Sequence, residues 1–406
     1  MDSLIAAAAR DLSAGDPLAA LKKVALRDDA PALALRGIAM AQLGDLARAK
    51  ELLWSAARAF GAREPAARAR CVLAEAEIAL VSRDLGHSVQ ALDAARAVLA
   101  ASGDRINAAH AGYLEARYLL LIGRLDEAER VLDAVDPGVL SAASQVGREL
   151  VVAGLAIRRI RAKPAEAALW RARQAAQNAA IPALAAEVDR ATRMFEAPAA
   201  RLVTRTAQKL LHLDEVETLL ASDTLVVDAC RNTVRSGAAV VPLATRPVLL
   251  ALARTLAEAW PGDVPRETLL ERAFRARHAD ETHRARLRVE IARLREAIKP
   301  LAAVNATARG FVLEVEGAGD VAVLAPPVEG DHAGVLALLG DGEAWSSSAL
   351  ALALGVSPRT VQRALDDLAR DNKVEHFGRG RARRWIASSV PGFPTSLLLP
   401  VAGLSG

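Results

Sequence analysis

Little in this chain invites a covalent or redox reading. Two cysteines, Cys71 and Cys230, stand far apart in 406 residues, too few for a disulfide framework or a cysteine-rich metal cluster. That scarcity leads us to expect a reducing compartment. Aromatic residues make up only 3% of the chain (Phe 6, Trp 5, Tyr 2), which leaves little for the stacking platforms that hold single-stranded nucleic acid. No apolar run approaches the roughly 20 residues a membrane helix needs. The greasiest stretch, Val151 to Ile157, is closed by Arg158 and Arg159. The opening MDSLIAAAARDL carries Asp2 and no basic leader, so it does not read as a secretion signal, and the expected location is cytoplasmic.

The motifs of the common enzyme classes are missing too. There is no GxxxxGK[ST], and HExxH, CxxC and GxSxG are also absent. The seven histidines are scattered; His278 and His283 come nearest to a pair, with no cysteine or third histidine at ligand spacing. The run GRGRAR at 378–383 resembles a glycine-rich phosphate loop only superficially, because it opens no helix and alternates with arginines. We therefore expect no enzyme, no metal and no cofactor.

What is present is apolar material and arginine. Hydrophobic residues are 52% and charged residues 25%, the profile of a soluble globular chain long enough for more than one folding unit. Lys+Arg 52 against Asp+Glu 48 leaves a formal net charge of +4, so any meaning lies in where the charge sits.

Residues 1–200 are rich in Ala, Leu and Arg and show no strand-like alternation, with prolines at 17, 31, 65, 137, 164, 182 and 198 where helices would start or stop. GDLARAKELLWSA (44–56) matches GRLDEAERVLDAV (123–135), placing Gly44 with Gly123, Leu46 with Leu125, Ala49 with Ala128 and Leu53 with Leu132. Weaker copies begin at 15 (GDPLAALKKV) and 163 (KPAEAALWRA), and Leu85, Ser88, Leu92 and Ala95 fill the same slots between. Small residues in these slots let antiparallel helices approach closely, and the pattern resembles tetratricopeptide repeats with a longer, irregular spacing. The expected fold class is mainly α: N-terminal helical-hairpin repeats followed by two small α+β domains.

Residues 201–223 read as a connecting helix, VTRTAQKLLHLDEVETLLA (203–221) at its centre. The grammar then changes. LVVDACRNTVRSGAAVVPL (225–243) is β-rich with turns at Arg231-Asn232 and Ser236-Gly237, and helices follow over 246–260, from Arg266, and over about 282–299. The strand pair AAVNAT and GFVLEV closes this domain, 224–316. Residues 317–330 read as a linker with a short strand. Three short helices and a basic hairpin make up 331–388, and 389–406 is an apolar, proline-broken tail.

The order of elements over 224–315 resembles the winged-helix output domain of OmpR/PhoB-type response regulators. VPRETLLERAF resembles that family's positioning helix, IARLREAI the end of its recognition helix, and ATARGFVL its strand and wing. The resemblance implies DNA contacts by Arg293 and Arg295, which match an Arg-Leu-Arg core, and by Thr307 and Arg309, which with Gly310 match a Thr-x-Arg-Gly wing. The wing is shorter here, and Arg284, Arg286 and Arg288 stand where the family carries mixed polar residues. Independently, 266–310 hold 11 basic and 6 acidic residues, with Arg284, Arg288 and Arg295 near one helical face and Leu287, Ile291, Leu294 and Ile298 as the apolar stripe. One apolar face and one arginine face suit a major groove and its flanking phosphates.

The second segment is equally patterned. Gly355 marks a turn, Ser357 a helix cap and Pro358 the first helical position, with Val361, Leu365 and Leu368 as the buried face. Arg359, Thr360, Gln362 and Arg363 point outward, side chains able to reach base edges or phosphates. The hairpin adds Arg379, Arg381, Arg383 and Arg384, and 357–385 hold 8 basic and 4 acidic residues. This resembles the winged-helix domains of bacterial repressors.

Together these readings lead us to expect a bacterial-type transcriptional regulator that binds double-stranded DNA, with residues 1–200 engaging a protein or peptide partner or a second copy. The repeats stand where a response regulator has its phosphoacceptor domain, so phosphorylation is not the implied input. Antibiotic-regulatory (SARP) regulators combine the same two module types in the opposite order. The alternative is a protein-interaction adaptor whose winged helices contact protein.

Overall fold

The computed structural model describes residues 2–82, 89–205, 207–274, 281–315, 320–327, 332–339, 344–371, 373–378, 380 and 383–387. The fold is mainly helical with small sheets, and among the described residues no helix is long and apolar enough to cross a membrane. The chain divides into two compact units. One comprises Met1–Arg159, Lys163–Met194 and the described residues of Asp331–Gly406; the other comprises Ile160–Ala162 and Phe195–Gly330.

The first unit begins with eleven helices: α1 (Ser3–Ser13), α2 (Pro17–Val24), α3 (Ala30–Gln42), α4 (Leu46–Phe60), α5 (Pro65–Val81), α6 (Val89–Ala101), α7 (Arg105–Leu121), α8 (Leu125–Asp133), α9 (Ala142–Arg158), α10 (Ala162–Ala179) and α11 (Pro182–Glu196). From α1 to α9 each helix packs on the next, and the odd-numbered helices also pack on one another in series. That is how stacked helical hairpins bury a continuous core. The sequence copies starting at 15, 44, 123 and 163 fall on α2, α4, α8 and α10, the second helices of their pairs. Leu92 and Ala95 of the intermediate copy are buried on α6, while Leu85 and Ser88 lie outside the described residues.

Local chemistry sets these hairpins. In the Gly-Asp pairs 15–16, 44–45 and 103–104 the glycine adopts positive φ, and the aspartate caps the following helix: Asp45 accepts from the Arg48 amide at 3.0 Å and Asp16 from the Ala19 amide at 2.9 Å. Close approach then depends on missing side chains. A Cβ on Gly37 would lie 2.8 Å from Leu53, and one on Gly154 would lie 2.7 Å from Leu120. The odd helices from α3 to α9 become buried nearly all round, and α5, α7 and α9 share a polar cluster. His110 Nδ1 lies 3.2 Å from Ser144 Oγ and its Nε2 3.2 Å from a Glu77 carboxylate oxygen, all three buried.

The second unit opens with a correction. The helix expected over 203–221 is a hairpin, β1 (Ala200–Val203) and β2 (Gln208–Leu211), followed by the short α12 (Leu213–Ala221). Its leucine-rich half forms the helix, which begins only where the His212 amide donates to Glu215 at 2.9 Å. The preceding RLVTRTAQKLL alternates enough to pair as strands once a neighbour is present. That neighbour is β9 (Val321–Ala325), the short strand expected within the 317–330 linker. It is an inner strand with all five residues buried.

Between them come β3 (Leu225–Asp228), β4 (Thr233–Ser236), β5 (Ala239–Pro242), α13 (Pro247–Ala259), β6 (Val264–Pro265), α14 (Arg266–Phe274), α15 (Glu281–Ile298), β7 (Ala303–Ala306) and β8 (Gly310–Glu314). The larger sheet runs β2-β1-β9-β3-β4-β5, antiparallel except for the β3–β9 pair, and the smaller runs β6-β8-β7. The helices form the core between them: Leu252 and Leu256 of α13 meet Leu287, Ile291, Leu294 and Ile298 of α15, with Phe311 and Val323 from the sheets.

The chain then returns to the first unit as α16 (Ala333–Leu339), α17 (Ser347–Leu354), α18 (Pro358–Arg370) and the hairpin β10 (Val374–Phe377) and β11 (Arg384–Ala387). Trp345 and Trp385 exchange backbone hydrogen bonds at 2.8 Å, adding a bridge to the hairpin. One buried apolar cluster spans residues of α5–α9 and of this terminal segment.

Candidate nucleic-acid interface

In the terminal segment, local sequence rules alone build two successive helices and the tight turn between them. Ser346 caps α17 and Gly355 ends it in the left-handed conformation (φ +65°). Ser357 then accepts from the Thr360 amide at 3.2 Å and starts α18 with Pro358 in its first turn. Val361, Ala364, Leu365 and Leu368 are buried. Arg359, Thr360 and Arg363 are exposed on the opposite side, and among the described residues neither arginine has an ion-pair or hydrogen-bond partner. Gln362 is half-buried and turned along its own helix, donating to Asp366 at 2.8 Å.

The hairpin beside it presents Arg383 and Arg384, both half-buried. Arg384 donates to the Arg383 carbonyl at 3.1 Å, and the Arg383 guanidinium lies 5.9 Å from the Trp385 ring. Phe377 is exposed across the hairpin from Arg384. Arg379 and Arg381 lie outside the described residues.

In the second unit the apolar stripe of α15 docks as the sequence implies, but the arginines behave differently from those of α18. Arg284 and Arg288 share the carboxylate of Glu281 at 3.6 and 3.2 Å, and Arg293 pairs with Glu290 at 2.9 Å. The Arg286 guanidinium stacks 4.7 Å from the Phe274 ring. Arg295, grouped by helical spacing with Arg284 and Arg288, instead donates through Nε to the Val304 carbonyl at 2.6 Å and ties the helix to β7.

Thr307 and Arg309 are similarly engaged. The Thr307 hydroxyl donates to Asp263 at 2.7 Å and accepts from the Gly310 amide at 2.9 Å; the Arg309 guanidinium is ion-paired to Asp263. These hydrogen bonds, Arg309 first and Thr307 second, hold the Asp263 carboxyl below its ordinary value, and Asp263 in turn raises that of Arg309. Arg266 completes the knot by donating to the Thr307 and Ala308 carbonyls, each at 3.2 Å. Gly310 is obligatory because β8 runs against the β6 backbone. Asp263, Arg266 and Glu281 escaped sequence reasoning; the Pro-Gly-Asp turn before a strand was the one local signal for Asp263.

A shallow cavity of about 520 Å³ lies beside this surface, lined by Arg246 and Pro247 of the α13 start and by Glu290, Arg293 and Glu296 of α15. Among the described residues no group of three or more His, Cys, Asp or Glu side chains is gathered for a metal ion. Both thiols are pushed up to about 12 by burial. Compared with protein-family models, curated proteins and solved structures, the chain matches none.

Proposed function

We propose that this chain is a cytoplasmic, bacterial-type transcriptional regulator that binds duplex DNA through two modules of the winged-helix kind, with its helical repeats receiving a protein or peptide partner or a second copy. The observation that carries the reading is on α18. Its first two turns present Arg359, Thr360 and Arg363 to solvent, without a carboxylate partner among the described residues, directly opposite the buried Val361 and Leu365. A helix so mounted fits the width of the major groove, where arginine and threonine can meet base edges. Arg383 and Arg384 on the adjoining hairpin are suited to flanking phosphates.

The α15 module contributes in a different way. Its arginines already hold carboxylates, a carbonyl or a ring, so those that contact DNA do so as phosphate anchors rather than as free base readers. An adaptor surface would not call for uncompensated arginines at the start of α18.

The test uses the full chain, because β1 pairs with β9 and a fragment beginning near residue 222 would break the larger sheet. With roughly six to ten phosphate contacts, affinity for duplex should fall about 10³- to 10⁵-fold between about 50 and 200 mM salt. Absence of binding at low salt, or binding indifferent to salt, overturns the reading.

A further inference from the structure

We infer that the Glu281 carboxylate occupies the seat of a DNA backbone phosphate, clasped between Arg284 and Arg288, and yields it when duplex arrives; this rests on the DNA-binding reading above. The two arginines stand one helical turn apart on α15, and their guanidinium groups converge on one carboxylate at 3.6 and 3.2 Å. Two cations converging on a single oxyanion group is the arrangement a backbone phosphate requires, and a carboxylate is its nearest side-chain mimic.

The other carboxylate pairs made by the arginines of α15 and of the β7–β8 turn are not interchangeable in that way, and Glu258, which also meets two arginines, Arg254 and Arg272, is only 17% exposed. Asp263 also accepts from Thr307, so removing it from Arg309 would undo the wing turn. The Glu290 side chain is only 13% exposed beneath Arg293. Glu281, by contrast, is 72% exposed, with Arg284 and Arg288 at 53% and 70%. No other hydrogen bond of the Glu281 side chain depends on it among the described residues. It can therefore swing into water without cost to the core, and exposed pairs of this kind are weak enough to be exchanged. Glu281 thus acts as an internal competitor that blunts non-specific attraction to nucleic acid.

The experiment titrates the full chain onto a fluorescein-labelled mixed-sequence duplex across a salt series. Glu281→Gln keeps the shape and removes the competing charge, and is expected to bind about 3- to 10-fold more tightly at about 50 mM salt, the gain shrinking as salt rises. Arg284→Ala with Arg288→Ala should weaken binding, and adding Glu281→Gln to that pair should restore nothing. Asp320→Asn, the same charge change at an exposed loop position just before β9, controls for net charge. The inference is overturned if Glu281→Gln leaves affinity unchanged, matches Asp320→Asn, or still gains without the two arginines. Absence of wild-type binding at low salt overturns the DNA reading together with it, whereas wild-type binding with an inert Glu281→Gln overturns this inference alone.

Discussion

Gly310 passes so close to Val264 that a Cβ on it would stand 1.7 Å from the Val264 carbonyl oxygen. The contact fixes the β6–β8 pairing and explains why a residue without a side chain follows Arg309. Since the clash is with backbone on both sides, it cannot be relieved by a rotamer change. Gly310→Ala should cost more than about 3 kcal/mol and lower the melting temperature of the unit that contains it. A melting curve superimposable on the wild type would disprove the account.

Asp263 predicts how the β7–β8 turn responds to acid. Its folded value is depressed, by Arg309 first and Thr307 second. A depressed acid stabilises the fold above its unfolded value, about 3.9 for aspartate, and that contribution disappears as pH falls through the lower folded value. Asp263→Asn should therefore be less stable than wild type near neutrality, with the two converging as pH falls through and below the ordinary carboxylate range. Thermal melts across that range check the sign; a gap that widens on acidification is the contrary result.

The buried trio in the repeats gives an independent test. Glu77→Leu leaves the buried His110 Nε2 without its partner and should cost about 1–3 kcal/mol, and His110→Leu should likewise leave the Glu77 carboxylate without the imidazole. Combining them removes both orphans, so the double variant should recover part of the loss. Urea melts followed by circular dichroism measure the cycle, and strict additivity would show that the two side chains do not act as a pair.

On α18, Arg359→Ala and Arg363→Ala should relax base preference, each costing about 1–3 kcal/mol at a preferred site if it meets a base edge. Arg383→Ala should instead weaken all sequences alike. Selection from a randomised duplex pool with each variant distinguishes them, and a preference altered by Arg383→Ala while Arg363→Ala leaves it intact would reverse the assignment.

Much of this protein is written in short-range signals. The Gly-Asp turns of the repeats, the Ser357–Pro358 start of α18, Gly355 between the two helices, and the stripe from Leu287 to Ile298 follow from helical geometry, capping and the left-handed freedom of glycine. Each is decided within a few residues, so the sequence alone determines them. The strands β1 and β2 were hidden because a strand takes its stability from a partner, and β9 lies more than a hundred residues beyond, inside what reads as a linker. The fate of the arginines was hidden for a related reason: helical spacing says which face a guanidinium occupies, not what it meets there. Arg363 has no carboxylate within reach among the described residues, Arg309 has Asp263 brought to it by the β6–β8 approach, and Arg295 bends back to the Val304 carbonyl. Only the tertiary structure, by bringing distant backbone and side chains within hydrogen-bond range, decided which positive charges find a partner within the fold and which face solvent without one among the described residues.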